Sequence, residues 1–242
     1  MNPLIIDTQN MTNHLSPVIV ALDFADEKQT LQFVRQLSPE LCQIKIGKEL
    51  FTATGRHLVE QLVNQGFKVF LDLKYHDIPN TVASACKIAA QMGVWMVDMH
   101  ASGGQRMMEA AAEAVSQFQQ RPYLIGVTVL TSLTQTDLAQ TGVDRSIDEQ
   151  VMHLARLSQQ SGLDGVVCSA QEAVILRDQL GKEFLLVTPG IRLNSKSEDD
   201  QRRIMTPKDA LAAGSSYLVM GRPITRSADP VLLLQQINLG MI

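Results

Sequence analysis

The chain has 242 residues, 45% of them hydrophobic and 19% charged, enough apolar content for a large buried core and too much for a disordered chain. Its 21 basic and 25 acidic side chains leave a formal charge of −4. That excludes a general nucleic-acid or polyanion binder, while a few local basic groups could still hold a small anion.

The first sixteen residues carry only the short apolar run Leu4-Ile5-Ile6 and no basic leader, so they read as a loose extension and not as a signal peptide. From Val18 onward, short β-branched runs alternate with longer stretches of helical periodicity. Val18–Phe24 is the first apolar run, and Gln43–Gly47 the second, followed by a helical stretch over Glu49–Asn64. Phe67–Lys74 precedes Thr81–Met92, Val94–His100 precedes Gln105–Gln117, and Tyr123–Leu130 precedes Ile147–Gln160. Gly165–Ser169 leads into Gln171–Gln179, and the runs Phe184–Thr188 and Ser216–Met220 complete the series. Gly66, Gly93, Gly162, Gly181 and Gly214 each follow a helical stretch and read as its stop.

A strand–helix unit repeated about eight times predicts a parallel sheet covered by helices. The first expectation is an α/β fold, a closed (β/α)8 TIM barrel forming one domain over 17–242. A doubly wound open sheet comes second, because no GxGxxG follows the first strand. No segment approaches the roughly 18 apolar residues that span a bilayer, so a cytoplasmic protein without membrane partners is expected. Cys42, Cys86 and Cys168 form no CxxC pair and fit buried thiols in a reducing compartment.

Barrel active sites lie at the C-terminal ends of the strands. There the apolar runs close on charge: Asp23, Lys45, Asp72 with Lys74, Asp98 with His100, and further on Thr131 with Ser132, Pro189-Gly190 with Arg192, and Gly221-Arg222. Residues two apart on a strand share a face, so Asp72 and Lys74 project together, with Asp77 in the loop ahead of the helix that Pro79 opens. An ammonium between carboxylates stays protonated and suits proton donation, not imine formation. A purely structural ion pair at the rim fits that spacing equally well. The same holds for Lys45 with Asp23. The two Gly/Arg pairs after the last two strands match the usual place for a phosphate. No His/Asp/Glu set has metal-ligand spacing.

Ala21-Leu22-Asp23, Lys45-Ile46-Gly47, the block DLKYHDIPNT from Asp72 to Thr81, Thr128-Val129-Leu130-Thr131-Ser132, Thr188-Pro189-Gly190-Ile191-Arg192, Gln201 and Val219-Met220-Gly221-Arg222-Pro223-Ile224 together resemble the orotidine 5′-phosphate decarboxylase family in its bacterial form. The resemblance covers nearly the whole chain from Val18. It implies a homodimer that removes CO2 from orotidine 5′-monophosphate to give UMP, in de novo pyrimidine synthesis, with no cofactor and no metal. It further implies that Lys74 protonates C6, within a charged array of Lys45, Asp72 and Asp77. Asp77 and Thr81 would come from the partner subunit. Asp23 would contact the ribose, Thr131 and Ser132 the pyrimidine, and Arg192, Gln201, Gly221 and Arg222 the phosphate, with Pro189 a further substrate-binding residue. The polar stretch Leu193–Arg203 is the expected lid. A relative on the same scaffold, 3-keto-gulonate 6-phosphate decarboxylase, shares the D-x-K-x-x-D block and uses Mg2+; the HDIPNT continuation favours the orotidine enzyme.

Overall fold

The computed structural model describes residues 15–193 and 205–242. Eight parallel strands close into a barrel in sequence order: β1 (Val18–Ala21), β2 (Gln43–Gly47), β3 (Val69–Tyr75), β4 (Met96–His100), β5 (Tyr123–Val127), β6 (Gly165–Val167), β7 (Leu185–Thr188) and β8 (Tyr217–Met220). β8 pairs with β1 in register Ile19↔Val219, which completes the ring. The helices are α1 (Glu27–Val34), α2 (Lys48–Asn64), α3 (Pro79–Gln91), α4 (Gln105–Ser116), α5 (Gln135–Gln140), α6 (Ile147–Gln160), α7 (Ala173–Leu180), α8 (Pro207–Ala212), α9 (Arg222–Thr225) and α10 (Pro230–Asn238).

Strand alternation builds two cores. Outward positions such as Val18, Val20, Ile44, Ile46, Val69, Leu71, Val97 and Leu186 are fully buried under the helices. Inward positions Ile19, Phe70, Met96, Ile125 and Val187 fill the barrel interior. At the N-terminal end of the strands Trp95 meets Tyr123 and Tyr217 edge-on, with ring centroids 5.9 and 5.0 Å apart, and these rings close that end.

The helices start and stop on local chemistry. In α6 the Ser146 hydroxyl accepts from the Glu149 amide while the Glu149 carboxylate accepts from the Ser146 amide, and Val151, Leu154, Ala155 and Ser158 then bury one face. α5 opens on a similar box from Thr134 and Asp137, giving the fifth unit two helices. The five glycines read as helix stops all have positive φ, from 75° to 102°. α2 departs from a continuous helix: Gly55, at φ 65° and ψ −158°, breaks it in the middle.

Several strands are shorter than the apolar runs that announce them. β1 ends at Ala21, yet Leu22 remains fully buried beyond it. β5 ends at Val127, while Thr128 and Val129 stay buried. Hydrophobicity marks burial, and burial continues past the last strand residue, where the Leu22 amide still donates to the Lys45 carbonyl at 3.0 Å and the Thr128 amide to the Val167 carbonyl at 3.3 Å. At the other end, Ser16 is already packed: its hydroxyl donates to Asn238 of α10 at 2.7 Å and accepts from the Val18 amide. The rest of the sequence read as an extension, 1–14, lies outside the described residues.

Candidate active site

The inward row that is apolar at mid-barrel turns charged at the C-terminal rim. One step beyond Phe70 on the same face of β3 comes Asp72, and one step beyond Met96 on β4 comes Asp98. Lys45 occupies the matching place on β2, and Asp23 follows β1.

These groups form a chain of alternating charge. Lys45 Nζ lies 3.4 Å from Asp23 Oδ1 and 3.0 Å from Asp72 Oδ2. Asp72 Oδ1 in turn accepts from Lys74 Nζ, which stands 3.7 Å from Asp98 Oδ2. Burial alone would lower the pKa of Lys45, but the Asp72 and Asp23 carboxylates outweigh it and hold that pKa above the ordinary lysine value. Burial would likewise raise Asp72, and the Lys45 and Lys74 ammoniums reverse the effect and hold it well below the usual carboxylate range. Asp98 is wholly buried. Burial and then the neighbouring Asp72 carboxylate push its pKa up.

Lys74 stands on a distorted strand. β3 pairs with β4 as Leu71↔Val97 and then as Tyr75↔Met99, so three residues of β3 oppose the single Asp98. Lys74 has φ 50°, the one non-glycine residue at positive φ among the described residues. Its amide donates to Asp98 Oδ1 at 2.8 Å.

A cavity of about 330 Å³ opens above this array, within the range for small-molecule sites. Asp23, Lys45, Asp72 and Lys74 line one side. Thr131 and Ser132, from the loop after β5, line another. Pro189, Gly190 and Arg192 after β7, with Gly221 and Arg222 after β8, complete the wall. Arg192 is buried and donates from Nη1 to the Ile191 carbonyl at 2.9 Å, whereas Arg222 is exposed. The glycine at 221 keeps this wall open, since a Cβ there would lie 3.3 Å from Asp23 Oδ2. Phe70, Val127, Val167 and Val219 supply an apolar floor. Sequence reasoning left these four out of the site, although each occupies the inward row of its strand.

Two expected members stand apart. Asp77 is exposed, and its Oδ1 accepts the Ile78 amide at 2.7 Å. Within the chain, among the described residues, the second carboxylate beside Lys74 is Asp98 and not Asp77, because the strand runs out past the rim after Tyr75. Thr81 is exposed on the first turn of α3. Gln201, and the expected lid apart from Leu193, lie outside the described residues. Beside the array, the His100 and His76 rings lie 5.4 Å apart between centroids, tilted by 38°.

Comparison with known proteins agrees with this fold. The chain is 70% identical over 239 residues to orotidine 5′-phosphate decarboxylase of Neisseria gonorrhoeae (strain NCCP11945), covering 98% of this chain and 97% of the relative. It is 66% identical over 227 residues to the enzyme of that name from Laribacter hongkongensis (strain HLHK9), covering 94% and 93%. The crystal structure of orotidine 5′-phosphate decarboxylase from Lactobacillus acidophilus superposes with a TM-score of 0.83 at 38% identity, over 93% of this chain and 98% of that one. A family model covers residues 16–237, nearly the span of the barrel, and by it the chain belongs to the Orotidine 5'-phosphate decarboxylase / HUMPS family.

Proposed function

We propose that Lys74 is the proton donor in a decarboxylation of orotidine 5′-monophosphate to UMP, carried out at the barrel rim as a step of pyrimidine biosynthesis. The reaction itself is the one that the name of the 70% identical relative gives. The residue roles are our reading, carried chiefly by the alternating array Asp23–Lys45–Asp72–Lys74 along one wall of the cavity.

The chemistry needs what that array supplies. The bond between C6 and the carboxylate carbon breaks, CO2 leaves, and the electron pair remains on C6, where the pyrimidine ring delocalises it poorly. A fixed ammonium beside C6 stabilises that charge and then passes a proton from Nζ to carbon. Lys74 becomes an amine and regains its proton from solvent. Asp72, held anionic by two lysines, would stand near the substrate carboxylate and favour its departure by like-charge repulsion. Lys45 keeps Asp72 in place. Asp23 faces the ribose, and Thr131, Ser132 and Pro189 the pyrimidine. Arg192, Gln201, Arg222 and the Gly221 amide receive the phosphate, so that binding energy is collected far from the reacting bond.

Asp77 and Thr81 would act across a homodimer interface in the cytoplasm. Their exposure supports this reading, as does that of Ile78 (66%) and Ile88 (47%), apolar side chains at the start and on the surface of the same helix. No metal enters the scheme.

The test is an absorbance assay with orotidine 5′-monophosphate, with and without EDTA. Turnover should persist in EDTA, and Lys74→Ala should lose at least about 10⁴-fold in kcat while UMP still binds. Appreciable turnover by Lys74→Ala removes the proton-donor assignment. Loss of wild-type turnover in EDTA points to the magnesium-dependent chemistry of the related scaffold.

A further inference from the structure

We propose that Asp98 is a positioning residue: its buried carboxyl pins the backbone bulge of β3 and so fixes where the Lys74 ammonium stands. The inference rests on the reading of Lys74 as proton donor. It starts from a mismatch in the sheet. Between Leu71↔Val97 and Tyr75↔Met99 the two strands lose register, and two inward side chains of β3, Asp72 and Lys74, face one inward side chain of β4, Asp98.

A bulge of this kind leaves an amide without a ladder carbonyl. Here that amide is the Lys74 N–H, and Asp98 Oδ1 accepts it at 2.8 Å. Lysine in the left-handed region is strained, and such a conformation persists only where its surroundings hold it. Asp98 is well suited to hold it. It is 0% exposed, anchored mid-strand on β4, and flanked by the buried Val97 and Met99. Its other oxygen, Oδ2, lies 3.7 Å from Lys74 Nζ and accepts no hydrogen bond from the described residues. One carboxyl therefore references both ends of Lys74, the backbone through a hydrogen bond and the ammonium through proximity.

What the bulge requires from Asp98 is an acceptor at Oδ1. A neutral carboxyl or a carboxamide has one as well, and burial with Asp72 beside it raises the pKa of the Asp98 carboxyl. The clamp thus depends on shape and hydrogen bonding and does not need a full charge. Removing the acceptor orphans a buried N–H, lets residue 74 return to ordinary strand geometry, and moves Nζ relative to C6. A misplacement of about 1 Å at a reacting group costs on the order of 100-fold in rate.

The experiment compares Asp98→Ala, Asp98→Asn and Lys74→Ala with wild type. Asp98→Ala should lose about 100-fold in kcat, with KM and UMP affinity within about threefold, because the phosphate loops are untouched. Asp98→Asn should recover kcat to within about tenfold of wild type, which a general loss of packing would not produce. The proposal is overturned if Asp98→Ala keeps kcat within about threefold, or if a folded Asp98→Asn is no better than Ala. Lys74→Ala separates the two readings: if it is dead while Asp98→Ala is active, only the clamp fails, and if it is active, the proton-donor reading fails and takes the clamp with it. Should Asp98→Ala not fold, hydrogen exchange in the wild type decides. The Lys74 amide should exchange as slowly as the ladder amides of β3, and exchange as fast as that of the exposed Asn80 amide overturns the proposal.

Discussion

His100 stands at the end of β4, half-buried, with Lys48, Lys74 and His76 as its charged or titratable neighbours and Asp72 as the opposing anion. Burial first, then His76 and the two lysines, push its pKa down to about 4. In the unfolded chain the imidazole takes a proton near its ordinary value of about 6.5. Between these two values the unfolded state binds more protons than the folded one, so this group makes stability fall as pH drops from about 6.5 toward 4. The side chain is partly open to water, which holds the effect to about 1 kcal/mol. Urea unfolding at pH 7 and pH 5 should show a loss about 1 kcal/mol smaller in His100→Gln than in wild type; an unchanged loss would refute it. At this scale the sequence was informative wherever charge interrupts an apolar strand. Asp23, Lys45, Asp72 and Lys74 are visible that way because burying such groups is costly without partners or a ligand. Asp98 was visible as a charge at a strand end, but its tie to the Lys74 amide was not, since that tie exists only through a register shift between two strands.

Among the elements, the strand–helix order follows directly from alternating apolar runs and glycine stops, and errors gather at the ends. Leu22 and Val129 look like strand residues because they are buried, yet both lie beyond the ends of their strands. The break in α2 left only a glycine as its trace. The lower loops depend on a side chain that no pattern announced. From α7, Arg177 donates to the carbonyls of Gly181, Lys182 and Phe184 at 2.7, 3.0 and 2.8 Å. It also reaches the Gly214 carbonyl at 2.7 Å and the Ser216 hydroxyl at 3.0 Å. One guanidinium thus ties the end of α7 to the turns that feed β7 and β8. Arg177→Ala should cost about 3 kcal/mol in urea unfolding, because several carbonyls lose a charged donor together. Arg177→Lys should restore only part of this, since a compact ammonium does not span the same set. A loss below about 0.5 kcal/mol for Ala would show that water replaces the staple.

The whole molecule divides along the barrel axis, with the candidate site at the rim and packing elsewhere. Repeat count and buried parallel strands made the closed barrel legible, because only a covered parallel sheet accounts for nearly continuous apolar runs. The proposed homodimer was harder to read, as an interface would leave in one chain only exposed groups, and Asp77, Ile78 and Thr81 are exposed. If each site takes Lys74 from one subunit and Asp77 from the other, inactive Lys74→Ala and Asp77→Ala proteins should complement one another. Unfolding and refolding an equimolar mixture places half of the chains' pairs as hybrids with one intact site of two, for about a quarter of wild-type activity. Activity no higher than that of the separate variants would refute shared sites.

The rings of Trp95, Tyr123 and Tyr217 close the far end, and Ile19, Phe70, Met96, Ile125 and Val187 fill the space above them. Among the described residues the barrel is therefore a cup with one doorway. In the proposed reaction carbon dioxide would leave by the same rim as the nucleotide. With the phosphate held as proposed, the small neutral gas would slip out while its larger partner is detained. A fresh substrate would then wait for UMP to vacate the doorway, so product and substrate would exclude one another by geometry before affinity is considered.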